Sequence, residues 1–134
     1  MNDCIFCKIV KGEMPSYKIY EDDFAYAFLD ISNDANGHTL VIPKKHYENV
    51  LDCEEETLKH VMSAVQKISK HYVDDCGASG VNILNASGKD AEQSVFHLHF
   101  HILPRFENDG LKVFPNLSKN KESLADLQAK LKMN

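Results

Sequence analysis

Three histidines stand at alternate positions in His97-Leu98-His99-Phe100-His101. Side chains on an extended strand alternate faces with period two, so the three imidazoles share one face. Leu98, Phe100 and Ile102 share the other, where they can join a core. Three imidazoles in a row are costly to bury without partners, and a solvent-accessible site with something to bind is the economical explanation. An imidazole with an unperturbed pKa of about 6.5 is largely neutral at pH 7, and one ring nitrogen can then attack a phosphorus centre. A neighbouring imidazole or a backbone carbonyl can fix the tautomer, and a protonated neighbour can stabilise phosphate charge. Alternate histidines on a strand can equally ligate one metal ion. A solvated or hydrogen-bonded histidine face is the third reading.

Cys4-Ile5-Phe6-Cys7 is a second motif. A CxxC pair by itself suits zinc, redox work or chance. A thioredoxin-like pair follows a strand, and only three residues precede Cys4. Cys53 and Cys76 flank a long amphipathic segment and read as free thiols or packing groups.

These motifs need elements to hold them. Residues 4–11 suit a short helix with Ile5, Phe6 and Ile9 inward, ended by Gly12 and Pro15. Residues 17–20 and 24–29 read as strands joined by the polar turn Glu21-Asp22-Asp23. Residues 30–37 form a loop of turn-forming types, and the apolar run 39–42 is a buried strand closed by Pro43. The clearest helix starts near Asp52, with Asp52 and Glu55 resembling a capping box. Leu58, Val61, Met62, Val65, Ile68 and Tyr72 form its apolar face, and Gly77 stops it. His60 and His71 fall on this helix as surface or interface groups. A strand over 81–84, a polar loop over 85–94 and a strand over 95–103, ended by Pro104, follow. Residues 106–117 are irregular, and residues 123–131 suit a closing helix with Leu124, Leu127 and Leu131 at i, i+3 and i+7. Short turns imply antiparallel pairing. The expected fold is α+β: a mostly antiparallel sheet of about five strands with one long helix and a C-terminal helix.

The 134 residues suit one domain, residues 1–134, with a core over about 4–105 and an extension over 106–134. Hydrophobic residues make up 43% and charged residues 26%, which excludes a disordered chain. No apolar run approaches the roughly 18–20 residues of a membrane span. Met1-Asn2-Asp3-Cys4 shows neither the basic nor the apolar region of a signal peptide, so a cytoplasmic protein without disulfides is expected. A formal charge of -5 argues against non-specific nucleic-acid binding, while leaving room for a small anionic ligand at a local site.

Together the motifs resemble the histidine triad (HIT) family. Its signature alternates three histidines with apolar residues, and His97-Leu98-His99-Phe100-His101-Ile102-Leu103 matches every position. The resemblance spans about residues 4–105. It includes Ile5-Phe6-Cys7-Lys8-Ile9, Ala27-Phe28-Leu29-Asp30-Ile31, the stretch from Gly37-His38 to Lys45-His46, and Gln93-Ser94-Val95. It implies a nucleotide hydrolase or transferase acting at an α-phosphate through a nucleotidyl-histidine. By position His99 is the nucleophile, the His97 carbonyl orients it, and His101 supports the phosphate. Ser94 and Gln93 contact the phosphates or the leaving group, and Asn85 lines the phosphate end. Asp30 accepts from the ribose hydroxyls, while Phe6, Ile9, Phe28 and Ile31 sandwich the base. A homodimer and a purine nucleotide partner are implied as well.

The chain departs from the family pattern twice. Glu92 stands where the family often has Gly before the Gln of its phosphate loop, and the chain lacks tryptophan, unlike the eukaryotic Hint branch. Leu103-Pro104-Arg105 resembles the branch that cleaves dinucleoside polyphosphates. The opening segment and the Gln-Ser-Val loop are more similar to Hint, which hydrolyses nucleoside phosphoramidates. Zinc takes about four N or S ligands. His46 and His97 are the natural partners of Cys4 and Cys7, an arrangement similar to that of some HIT proteins, and a closed set of that kind is structural. A nucleotide-binding adaptor with incidental hydrolysis, and a zinc-stabilised interaction domain, are the readings from other classes.

Overall fold

The computed structural model describes residues 3–133. Five strands form: β1 (Lys18–Glu21), β2 (Ala25–Leu29), β3 (Thr39–Pro43), β4 (Gly80–Leu84) and β5 (Phe100–Arg105), of which β2 and β3 are nearly continuous apolar runs. They form one sheet in the order β1-β2-β3-β5-β4, with every neighbouring pair antiparallel. The helices are α1 (Ile5–Val10), α2 (Glu55–Cys76) and α3 (Leu124–Leu131), with a 3-10 turn over Lys89–Ala91. The α+β architecture expected from the sequence is the one observed.

The sheet has a core on each face. On one, Ala25, Ala27, Val41, Phe100 and Ile102 pack with Val61, Ala64, Val65, Ile68 and Tyr72 of α2. On the other, Tyr26, Phe28, Leu40 and Ile42 pack with Phe6 and Ile9 of α1. The period-two pattern assigns the faces, and the register Phe28↔Leu40 and Leu40↔His101 carries the second face across to the histidines. Apolar burial on both sides is what lets these short strands hold their pairing. Tyr72 extends this grip by hydrogen bonding Thr39 Oγ1 at 2.6 Å.

Several local expectations are corrected. Ile5 is 45% exposed, because this six-residue helix turns Phe6, Cys7 and Ile9 inward instead. Met62 points outward, since α2 meets the sheet along a narrower stripe through Val61, Val65, Ile68 and Tyr72. Asp52 and Glu55 form no capping box. Glu54 is the N-cap and its side chain makes no capping bond, and the Asp52 carboxylate instead accepts from Glu48 and Asn49 N–H. Gly77 ends α2 at φ 85°, a left-handed conformation that glycine adopts without a Cβ clash. The last strand begins at Phe100, not at 95, and Pro104 lies within it opposite Val81 rather than ending it. Pro104 also packs beside Gly37, where a Cβ would come within 3.0 Å of the proline ring. The final helix forms with Ser123 as its N-cap, but Leu124 and Leu131 are largely exposed, so it does not close onto this chain's core. Among the described residues, no helix is long and apolar enough to cross a membrane.

Candidate active site and metal centre

Residues 97–99 precede the regular ladder, yet their side chains still alternate. Leu98 and Phe100 enter the α2 core, while His97, His99 and His101 face the α1 side. The expectation of a solvent-accessible triplet is corrected here: His97 is 0% exposed and His99 is 6%. Burial is tolerated because each imidazole has a partner, which removes most of the cost of desolvating a polar ring.

His97 Nε2–H donates to Pro43 O at 2.9 Å, so its Nδ1 carries the lone pair. That nitrogen lies 3.4 Å from Cys4 Sγ, 3.5 Å from Cys7 Sγ and 3.1 Å from His46 Nδ1, and Cys7 Sγ is 3.3 Å from His46 Nδ1. All four ligand atoms fall within 4.8 Å of one another. A tetrahedral ion about 2.3 Å from sulfur and about 2.0–2.1 Å from nitrogen needs S···N edges of roughly 3.5 Å, so the donor set fits zinc in both size and softness. Burial holds His97 down at about 4, which keeps it a neutral ligand. Burial and the adjacent Cys4 push the Cys7 thiol up to about 11, so two thiolates there need a cation to neutralise them. Sequence separates these four groups widely. Helix α1 places both sulfurs, and the adjacent ends of β3 and β5 bring the imidazoles. Among the described residues no disulfide competes for the sulfurs.

His99 Nδ1–H donates to the His97 carbonyl at 2.8 Å, which leaves Nε2 with the lone pair. Burial lowers the His99 pKa from its ordinary value, favouring the neutral ring. His99 and His101 lie edge to face, with centroids 5.0 Å apart, and Phe6 packs edge-on against His99. His99, His101 and the exposed Ser94 line a cavity of about 270 Å³. Its apolar walls are Phe6, Ile9, Phe28 and Ile31, with Asp30 at the rim, so the structure brings these sequence candidates to one place. Ile31 is 83% exposed and covers the cavity from outside.

Two candidates lie elsewhere. Asn85 lines a neighbouring cavity of about 440 Å³ on the other side of His101, and its Nδ2 donates to the His99 carbonyl at 3.0 Å. Gln93 is turned inward. Its Nε2 donates to Glu48 O and Val95 O, and its Oε1 accepts from Gly88 N–H and Asn49 Nδ2. It therefore braces the 85–94 loop from behind. Glu92, in the same loop, adopts φ 68° and ψ 31°. A left-handed residue is what glycine would accommodate most easily there.

His38 was not singled out from the sequence. It is 8% exposed, with Nε2 2.8 Å from His101 Nδ1 and Nδ1 2.8 Å from Asp34 Oδ1. The available signal was a histidine at the head of the fully buried strand β3, where only a partnered imidazole is tolerated. Two residues before Leu40, it shares Leu40's face and is thus a diagonal neighbour of His101 across the β3–β5 pair.

A profile of the HIT domain matches residues 11–108. The adenosine 5'-monophosphoramidase HNT1 of Saccharomyces cerevisiae is 42% identical over 135 residues, covering 93% of this chain and 83% of that protein. A HIT family member from Bacillus subtilis has a solved structure at 44% identity and TM-score 0.84, with 99% of each chain covered. A Zn-bound histidine triad family protein from Mycobacterium smegmatis superposes with TM-score 0.77 at 38% identity, covering 87% of this chain and 84% of that one.

Proposed function

Because the chain belongs to the histidine triad family, we propose that it hydrolyses nucleoside phosphoramidates or related AMP or GMP conjugates at the α-phosphate. The observation that carries the reading is the His99 ring. Its Nδ1–H is committed to the His97 carbonyl, so a neutral Nε2 is presented beside the cavity that His101 and Ser94 also line. Such a nitrogen attacks the α-phosphorus, displaces the conjugated group and forms a nucleotidyl-histidine, which water resolves. Phe6, Ile9, Phe28 and Ile31 hold the base, and Asp30 accepts from the ribose hydroxyls. Ser94 and His101 hold the phosphate. Asn85 steadies the strand carbonyl behind His99, and Gln93 acts through the loop that carries Ser94. A name given to a relative, adenosine 5'-monophosphoramidase, supports the substrate class.

Zinc held by Cys4, Cys7, His46 and His97 would supply a rigid crosslink between α1 and the active strand, away from the phosphorus chemistry. We also read the protein as a homodimer of the cytoplasm. The unpaired edge of β4, with the exposed Ile83, and Met62 on α2 are the apolar surface that a second copy would cover.

A product assay across adenosine phosphoramidate, lysyl-adenylate and diadenosine polyphosphates tests the function. Preferred release of AMP from the phosphoramidates supports the reading. Preference for the polyphosphates moves the protein to the dinucleoside branch. Tight AMP binding with negligible turnover on every conjugate makes it an adaptor.

A further inference from the structure

Asp34, His38 and His101 form a chain of two hydrogen bonds that ends at the phosphate cavity. The Asp34 carboxylate accepts from His38 Nδ1–H at 2.8 Å, and His38 Nε2 and His101 Nδ1 share one proton across 2.8 Å. The remaining nitrogen of His101 is Nε2. Two proton arrangements satisfy this geometry. With His38 an imidazolium, Nε2–H of His38 donates to His101 Nδ1, and His101 bears its own proton at Nε2. With both rings neutral, His101 Nδ1–H donates to His38, and His101 Nε2 is bare.

We propose that Asp34 is a positioning residue for proton transfer: it holds His38 so that a proton stored on the His38–His101 pair leaves and returns at Nε2 of His101. The inference rests on the α-phosphate hydrolase reading. In the first step His99 Nε2 forms a bond to phosphorus, and the bond from phosphorus to the leaving nitrogen breaks. The leaving nitrogen keeps that electron pair and takes the proton from His101 Nε2. The His38 Nε2 proton moves to His101 Nδ1, and His38 becomes neutral while still donating to Asp34. The positive charge that was on His38 now resides on the phosphorylated His99 ring. When water attacks phosphorus and the His99 bond to phosphorus breaks, the water proton passes to His101 Nε2, the His101 Nδ1 proton returns to His38, and the pair is restored.

Carboxylates flank the His38 ring. Asp30 Oδ2 lies 3.7 Å from His38 Nε2, and Asp34 sits on its other nitrogen, so two carboxylates from the β2–β3 loop face this ring. From the β5 side His38 faces His101, with His99 next to it; Glu92 of the 85–94 loop and Lys112 of the C-terminal segment line the cavity beyond. Burial, followed by the neighbouring His99 and His38, pushes His101 down to about 4, which agrees with a ring that passes protons but does not keep the charge. Asp34 is lowered from its ordinary value, first by its bond to His38. Asp34 itself is exposed on a loop, so replacing it leaves the core intact.

The test compares Asp34→Asn and Asp34→Ala with the wild type in single-turnover release from two AMP conjugates. One carries an alkylamine, which must be protonated to leave; the other carries p-nitrophenolate, which leaves without a proton. Asparagine keeps an acceptor oxygen and removes the charge, and alanine removes both. The expected result is a loss of at least about tenfold on the amine conjugate for Asp34→Asn, with a several-fold smaller loss on the phenolate conjugate, as for removal of general-acid assistance. Equal losses on both would mean a purely structural role and overturn the proposal. Long-range proton–nitrogen NMR of the imidazoles gives a readout independent of turnover. His38 Nδ1 should be protonated throughout, and the midpoint of the His38–His101 pair should fall in Asp34→Asn. An unchanged midpoint overturns the coupling. A wild type that turns over neither conjugate overturns the hydrolase reading and proton delivery with it, whatever the NMR midpoint does.

Discussion

The backbone carbonyl of His97 accepts the Nδ1–H of His99 at 2.8 Å. One residue thus serves two centres: its ring belongs to the Cys4–Cys7–His46 cluster, and its carbonyl sets the tautomer of the imidazole beside the cavity. A backbone carbonyl cannot be removed by substitution, but its position depends on what holds the His97 ring. The geometry of the Cys4–Cys7–His46–His97 cluster and the orientation of the His99 ring are therefore mechanically linked.

His99→Ala should lower turnover of adenosine phosphoramidate by at least about a thousandfold, because no other ring nitrogen is poised to form the bond to phosphorus. The fold should survive, since the ring lies beside a cavity and its loss leaves no buried charge. Product release followed by chromatography, with far-ultraviolet dichroism as the fold control, checks both halves. Wild-type turnover in this variant would remove His99 from the nucleophile's role.

Metal removal by a strong chelator should lower the melting temperature by at least about 10 °C, because a closed tetrahedral centre contributes directly to folding free energy. Cys4→Ser should behave like the chelated protein and retain less than one equivalent of zinc by elemental analysis. A melting temperature unmoved by chelation, in protein shown to have carried zinc, would mean that the site is not structural.

Glu92→Gly should stabilise the protein by about 0.5–1 kcal/mol. A side chain in the left-handed region costs roughly 1–2 kcal/mol, and the greater freedom of glycine in the unfolded chain offsets part of the gain. A urea titration should show a higher midpoint at unchanged slope. A lower midpoint would mean that the Glu92 side chain contributes a stabilising contact larger than the strain.

Stability should fall as the pH drops from about 6.5 to about 4. Folding holds His101 at about 4, below the ordinary imidazole value of about 6.5. In that window the unfolded chain binds a proton that the folded chain does not, so protonation favours unfolding; above about 6.5 the two states bind equally and the effect vanishes. The limiting slope is about 1.4 kcal/mol per pH unit for one such imidazole, less for a partly solvated ring. Urea melts at pH 5 and pH 7 in wild type and His101→Gln measure it: the variant should show a shallower dependence, and an equal one would exclude His101 as a source.

Much of the site was legible because local chemistry is strong there. The alternation of His97, His99 and His101 with Leu98, Phe100 and Ile102 predicts two faces, and the faces are observed even where the regular ladder is interrupted. The turn and strand types of residues 17–43 place β1 to β3 within a residue or two. Met62 and Ile5 were misassigned because helical spacing defines a stripe but not its width, which depends on how the sheet curves against the helix. The strand limits around Val95 and Pro104 were misplaced for a related reason: pairing partners, which local propensity does not reveal, decide where a ladder starts and stops.

By itself the sequence determined the chemistry available: three imidazoles on one face, two thiols one helical turn apart, and an apolar sheet to hold them. Only the tertiary structure decided the pairings. His38 meets His101 because β3 and β5 are neighbours, and Asp34 then reaches His38 from the loop that precedes β3. Cys4 and Cys7 meet His46 and His97 because α1 lies over the face of the sheet to which β3 and β5 deliver their ends. The physical reason is the same in each case. Side-chain direction follows from local backbone geometry, which sequence encodes over a few residues, whereas the distance between groups 63 or 90 residues apart is set by strand register and burial of the whole core.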